Sequence, residues 1–155
     1  MQVFIVGTPF ETAEALDVKR LRKQIIECNQ ILDALNGKSV WSNHPCVLQY
    51  KEHKQWLWLY MSVLAEYNQI NHLDWLSDEG KESLKPLMYH WNEKALKKTP
   101  YWHTQEYFDQ MKRRLYTKNP EHYKQWEHLG RSDCNWYWSE KENKFIKYVN
   151  GKRIE

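Results

Sequence analysis

The chain has 155 residues, the length of one ordinary domain, and we expect a single domain over residues 1–155. Its hydrophobic fraction of 41% and charged fraction of 28% exclude a disordered chain. The net charge of +3 excludes a histone-like polycation but leaves room for a local basic patch. Nine Trp and ten Tyr are unusually many, and both residue types suit a core as well as a stacking surface.

Other protein classes are excluded by missing patterns. No stretch approaches the roughly 20 apolar residues of a membrane helix, and the N-terminus lacks the pattern of a secretory signal. The three cysteines, Cys28, Cys46 and Cys134, show no CxxC spacing and fit a reduced protein. The seven histidines show no metal-binding spacing, so we expect no metal and no organic cofactor. We expect a cytoplasmic protein without a membrane partner or an obligate protein partner.

The predicted elements are mostly helical. Residues 3–6 form a short apolar run, which predicts one buried strand or an ordered arm. A helix is predicted over residues 12–35, with Thr12 as N-cap and Asn36-Gly37 as the stop. Its apolar stripe consists of Leu21, Ile25, Cys28, Leu32 and Leu35.

The remaining elements follow in chain order. Pro45 is a candidate first residue of a helical segment, and helices are predicted over residues 54–67 and 104–116. Residues 81–97 are helical in composition, with a start or kink at Pro86. A short helical turn through Trp126 and two strands, 135–139 and 144–149, complete the chain. The prediction is a mainly α domain of four to five helices, with an N-terminal strand or arm and a small C-terminal β-hairpin.

A polar face runs along the first long helix. At 100° per residue, the side chains of Arg20, Lys23, Gln24 and Glu27 fall within about a third of the circumference. One interpretation is a solvated face with a Lys23–Glu27 ion pair. The other is catalytic: Glu27 stabilises a developing positive charge or moves a proton, and the cations bind phosphates.

Here the sequence resembles a known family. The string ALDVKRLRKQIIECNQILDALNGKSVW, followed by NHP, is similar to the pyrimidine-dimer DNA glycosylases of the endonuclease V type. The motifs are LDxxRLxKQxxExxQIL and WxNHP, and they cover the first helix and the loop after it. The chain departs from the family at Val3 and Ile26, where basic residues are expected, and at Gln2, where a small Thr is expected.

The resemblance implies a mechanism. In that family an N-terminal α-amine attacks C1′ of the damaged nucleotide and forms a Schiff base, and a helix glutamate assists. Glu27 matches that glutamate, and Met1 or Gln2 would supply the amine. Lys23 is an alternative nucleophile if burial lowers its pKa. His44 is a candidate acid, base or phosphate ligand, or else His44 or Asn43 caps the following helix.

A basic stretch follows residue 111, and aromatic residues are interleaved with its cations. It favours a nucleic-acid surface, because cations bind phosphates and rings stack on bases; the alternative is a solvated helix end. Tyr116, Tyr123, Trp126 and the 136–138 run are the aromatic candidates for that surface. The candidate DNA contacts are Arg20, Arg22, Gln24, Asn43, Arg113, Arg114 and Lys118.

The sequence therefore predicts a DNA glycosylase and AP lyase that acts on damaged or modified pyrimidines in duplex DNA. One alternative is a glycosylase or hydrolase for another modified nucleotide. The other is a non-catalytic module that binds nucleic acid.

Overall fold

A computed structural model describes residues 1–72, 77–84 and 99–154. The helices in these ranges are α1 (Pro9–Ala15), α2 (Val18–Leu35), α3 (Pro45–Gln49), α4 (Lys54–Asn71), α5 (Asp78–Leu84), α6 (Gln105–Lys118) and a 3-10 helix (Lys124–Leu129). The strands are β1 (Asn135–Ser139), β2 (Lys144–Val149) and β3 (Lys152–Arg153). The predicted mainly α fold is confirmed. Of the predicted helical stretch 81–97, the part from residue 85 lies outside the described residues.

The predicted helix over residues 12–35 is wrong in one respect, because the chain forms two helices there. Thr8 caps α1 through a capping box with Glu11. The Asp17 side chain then accepts a hydrogen bond from the Arg20 backbone N–H at 3.2 Å and begins α2. Thr12, predicted as the N-cap, lies inside α1 and is buried. The break arises because an extended residue at Asp17 gives α2 its own cap.

The N-terminal run is an ordered arm and is not part of the sheet. Residues 2–6 are buried and belong to no helix or strand. Buried backbone groups need hydrogen-bond partners, and here side chains supply them where a strand would use a neighbouring strand. Gln24 and Tyr60 bind the arm from one side, and Tyr107 and Tyr137 bind it from the other. The arm therefore brings the first residues of the chain into the interior.

The core lies between α2, α4 and the arm, and it contains most of the aromatic residues. Trp56 stacks on Tyr60 with ring centroids 5.2 Å apart. His103 lies edge-on to Trp56 at 4.7 Å, and burial lowers the pKa of His103 to about 3, so this imidazole is neutral at physiological pH. Stacking of this kind adds to the stabilisation from buried area.

The expectation that the aromatic residues of the basic stretch form a nucleic-acid surface is wrong for most of them. The side chains of Tyr116, Tyr123, Trp126 and Tyr137 are each at most 9% exposed. Tyr123 stacks on Trp126 at 5.3 Å, and its hydroxyl hydrogen-bonds to Asp17 at the start of α2. These four rings face inward, so they are not available to a partner, whereas Trp136 and Trp138 of the same surface are partly exposed.

The C-terminal sheet is antiparallel in the order β1-β2-β3. The bounds of β1 and β2 agree with the two predicted strands, and Tyr137 pairs with Ile146 in the register. Asn150 and Gly151 both have positive φ, 50° and 76°, which is the backbone that a tight two-residue hairpin requires. Strand β1 packs on α3, and this contact places Tyr137 beside the arm.

Candidate active site

Gln24 is the residue that joins the arm to the catalytic candidate on α2. Its amide group is fully buried. The oxygen accepts the Phe4 backbone N–H at 2.9 Å, and the NH2 group donates to the Gln2 carbonyl at 2.8 Å and to Glu27 Oε2 at 3.1 Å. Gln24 therefore positions the arm against Glu27. We assign it this role in place of the predicted DNA contact, because a buried amide with these partners is not available to a ligand.

Glu27 lies on the same face of α2, one turn after Gln24 and Lys23. Its side chain is 12% exposed, so the carboxylate is largely enclosed but remains accessible from solvent. Lys23 Nζ lies 3.9 Å from Glu27 Oε1, which is the predicted i,i+4 ion pair. Lys23 itself is 55% exposed, so the burial that a nucleophilic Lys23 would need is not present.

The α-amine of Met1 lies in the same region of the structure. Burial raises the pKa of the Cys46 thiol to about 12, while the positive charge of the amine opposes this rise and the Glu27 carboxylate adds to it. Cys46 is thus within electrostatic reach of both groups. The arm is fixed at this end because Tyr137 donates a hydrogen bond to the Met1 carbonyl at 2.6 Å. Gln2, the other candidate for the amine, is buried, with 3% of the residue exposed.

His44 caps α3, and its ring contacts Tyr137, which binds the Met1 carbonyl. Its Nδ1 accepts the Cys46 backbone N–H at 3.1 Å, so a neutral ring carries its proton on Nε2. Partial burial and the nearby amine charge lower the pKa of His44. The ring lies edge-on to Tyr137, with centroids 5.8 Å apart. The cap predicted for His44 or Asn43 is therefore made by His44, and Asn43 is exposed beside it.

Lys118 interacts electrostatically with Glu27 and with three other cations. Partial burial, together with the charges of Arg114, Arg20 and Lys23, lowers the pKa of Lys118 to about 8, and Glu27 acts in the opposite direction. The four cations come from α2 and from the C-terminal part of α6. We call Arg20, Lys23, Arg114 and Lys118 the basic cluster. Such a cluster next to a carboxylate suits a phosphate group, because the cations offset the charge that the carboxylate would repel.

Two other predicted DNA contacts lie elsewhere. Arg22 is about 140° around α2 from Glu27, and its guanidinium hydrogen-bonds to His72 at the end of α4. Arg113 donates from Nε to the Leu129 carbonyl at 2.9 Å, so it holds the 3-10 helix against α6. Both side chains have a partner within the protein, and neither is part of the basic cluster.

A groove opens beside His44. Its volume is about 350 Å³, and its walls include Asn43, Leu48, Tyr137, Trp138 and Tyr148. The sequence indicated Tyr137 only as part of an aromatic nucleic-acid surface, because its contact with the Met1 carbonyl spans 136 positions and no local pattern signals it.

The described residues contain neither a metal-binding group nor a membrane-spanning helix. Among them, no three His, Cys, Asp or Glu side chains are close enough together to bind a metal ion. Of the helices described, none has the length and apolar character needed to cross a membrane. No curated protein and no solved structure matches the chain.

One family model does match, and the matched segment contains most of the site. It includes the arm, Gln24, Glu27 and His44, while Arg114 and Lys118 lie beyond its end. Residues 1–69 of this chain match the family model described as pyrimidine dimer DNA glycosylase.

Proposed function

We propose that this protein is a DNA glycosylase and AP lyase that acts on damaged or modified pyrimidines in duplex DNA. The observation that carries the proposal is the arrangement of three groups: an α-amine held by a buried arm, the Glu27 carboxylate, and the basic cluster. Gln24 links the first two by hydrogen bonds to both the arm and the carboxylate. The matched family adds independent support, because its description names the same class of activity.

The proposed chemistry uses the α-amine of Met1 as nucleophile. Its unprotonated nitrogen forms a bond to C1′, and the bond from C1′ to the base breaks with its electron pair leaving on the base. Opening of the sugar ring then gives a Schiff base, and loss of a proton from C2′ expels the 3′ phosphate by β-elimination. Glu27 stabilises the positive charge that develops on the sugar and assists the later proton transfers. Burial of the carboxylate strengthens this electrostatic effect.

Binding of the DNA backbone is assigned to the basic cluster. Arg20 offers paired N–H donors, Arg114 keeps its terminal NH2 groups while its Nε donates to Asn135 at 3.0 Å, and Lys23 and Lys118 supply compact charges. Bound phosphate would lie beside Glu27, so C1′ of the same nucleotide would lie near both the carboxylate and the amine. The cluster thus orients the sugar as well as attracting the DNA.

The test is to trap the Schiff base with borohydride on duplex DNA that contains a cyclobutane pyrimidine dimer. We expect a covalent protein–DNA adduct, and we expect mass spectrometry of the digested adduct to locate it on the N-terminal peptide. Mass spectrometry of the intact protein shows in the same experiment whether Met1 is retained or Gln2 carries the amine. An adduct on Lys23 would show that this lysine of α2, and not the N-terminal amine, is the nucleophile. Absence of any adduct on dimer-containing DNA, together with absence of cleavage, would contradict the proposal.

The contribution of the basic cluster is tested by Lys118→Ala. We expect weaker binding to all duplexes. The plot of log affinity against log salt concentration should become shallower by about one unit of slope, because one phosphate contact is lost. Lys51→Ala is the control, since Lys51 is exposed and lies outside the cluster. Fluorescence anisotropy between low and moderate salt measures both quantities. An unchanged salt slope in Lys118→Ala would remove Lys118 from the DNA contact.

A second candidate function is hydrolysis of another modified nucleotide by water. It is favoured by the two positions where this chain lacks the cations of the family that it resembles. Val3 is completely buried and Ile26 is 59% exposed, and neither side chain offers a positive charge to a phosphate. A screen of duplexes with different modified bases distinguishes the candidates, because a hydrolase releases base without forming a trapped adduct.

A further inference from the structure

Trp41 is an exposed aromatic residue held in an ordered turn. Its side chain is 51% exposed, and that of its neighbour Val40 is 93% exposed. The Trp41 backbone is nevertheless fixed at both ends: its N–H donates to Ser39 Oγ at 3.2 Å, and its carbonyl accepts the His44 N–H at 2.9 Å. The turn therefore presents two large apolar side chains to solvent from a defined backbone, although their burial would be favourable.

The Trp41 ring is also connected to the candidate active site. It lies edge-on to His44, with centroids 6.0 Å apart and planes at 74°. His44 contacts Tyr137, which donates its hydroxyl hydrogen to the Met1 carbonyl. The indole is thus two ring contacts away from the residue that carries the proposed nucleophile.

An enzyme that attacks C1′ has to displace a base from the helical stack. Unstacking costs a few kcal/mol, and the base next to the displaced nucleotide loses its stacking partner on one side. An aromatic side chain can replace that partner, because every base has a π face and stacking on a ring is tolerant of sequence. The basic cluster on α2 and α6 supplies positive charge that attracts DNA to the candidate active site, to which Trp41 is connected through His44.

We propose that Trp41 stacks on a DNA base at the step that opens when the target nucleotide leaves the helix, with Val40 inserting beside it. This inference rests on the proposed function, since it names a residue that selects distorted DNA at the same site. Trp41 is assigned to recognition, and the chemical step remains with the amine and Glu27. The aromatic residues predicted for this role from the basic stretch are largely buried, whereas Trp41 is accessible.

The test separates stacking from chemistry by using a duplex that contains a tetrahydrofuran abasic-site analogue. This analogue lacks a base, so the gap in the stack is already present, and it cannot form a Schiff base. We expect Trp41→Ala to lower affinity for the analogue duplex about tenfold, while its affinity for the undamaged duplex stays unchanged. Trp41→Phe should retain most of the affinity, because the phenyl ring can still stack. A 2-aminopurine placed next to the analogue should be quenched by the wild-type protein and much less by Trp41→Ala.

Trp58→Ala is the matched control, since Trp58 is also 51% exposed but lies on α4. We expect it to bind both duplexes as the wild type does. If Trp41→Ala binds both duplexes like the wild type, or loses affinity equally for both, the proposal is overturned. Failure of the wild type to form a trapped adduct, with the selective loss in Trp41→Ala still observed, would overturn the proposed chemistry and leave this recognition role standing. No binding of the wild type to either duplex would overturn both.

Discussion

Replacement of Glu27 by Gln is expected to lower Schiff-base formation and strand cleavage by about 10²- to 10⁴-fold. The amide keeps the size of the side chain, and its oxygen can still accept the hydrogen bond from Gln24. The negative charge is lost, however, so the positive charge that develops on the sugar is no longer stabilised. Affinity for DNA should stay equal or rise slightly, because a negative charge beside the basic cluster has been removed.

Single-turnover cleavage and borohydride trapping measure the chemical step, and anisotropy measures binding. Glu66→Gln is the control, because Glu66 is an exposed carboxylate on α4. It should leave both quantities unchanged. Cleavage by Glu27→Gln at the wild-type rate would exclude Glu27 from catalysis, whereas loss of DNA binding in the same variant would indicate a structural defect.

The helix pattern was enough to place Glu27 and Gln24 correctly on one face of α2. Periodicity specifies which side chains are neighbours within a helix, so these two were predicted together. It does not specify which of them is covered by another segment. Gln24 was predicted as a DNA contact and is in fact buried under the arm, because an apolar run of four residues at the N-terminus packs over it.

Contacts between distant segments account for the other differences between the predicted site and the structure. Tyr137 approaches Met1 across nearly the whole chain, and Lys118 approaches Glu27 from α6. Composition indicated a basic stretch with aromatic residues, but it could not tell which side of each element faces the core. Strands β1 and β2 could be predicted to their end residues because alternation and turn residues are local signals, whereas the two-residue β3 was not predicted.

Replacement of Gln24 by Met is expected to destabilise the protein by about 3 kcal/mol and to reduce Schiff-base trapping further than the loss of folded protein explains. Methionine has a similar length and volume but no hydrogen-bonding amide. The Phe4 N–H and the Gln2 carbonyl would then lose their buried partner. Each unpaired buried group costs about 1–3 kcal/mol, and the arm would be free to leave its position beside Glu27.

Gln110→Met is the matched control because Gln110 is also a buried glutamine, 4% exposed. Its amide donates to the Ser132 hydroxyl and to the Cys134 carbonyl, and these partners bind neither Glu27 nor the arm. Urea unfolding should show a comparable loss of free energy of unfolding in both variants. Trapping per folded molecule should fall only in Gln24→Met. An equal fall in the two variants would mean that stability alone, and no specific positioning of the amine by Gln24, limits the reaction.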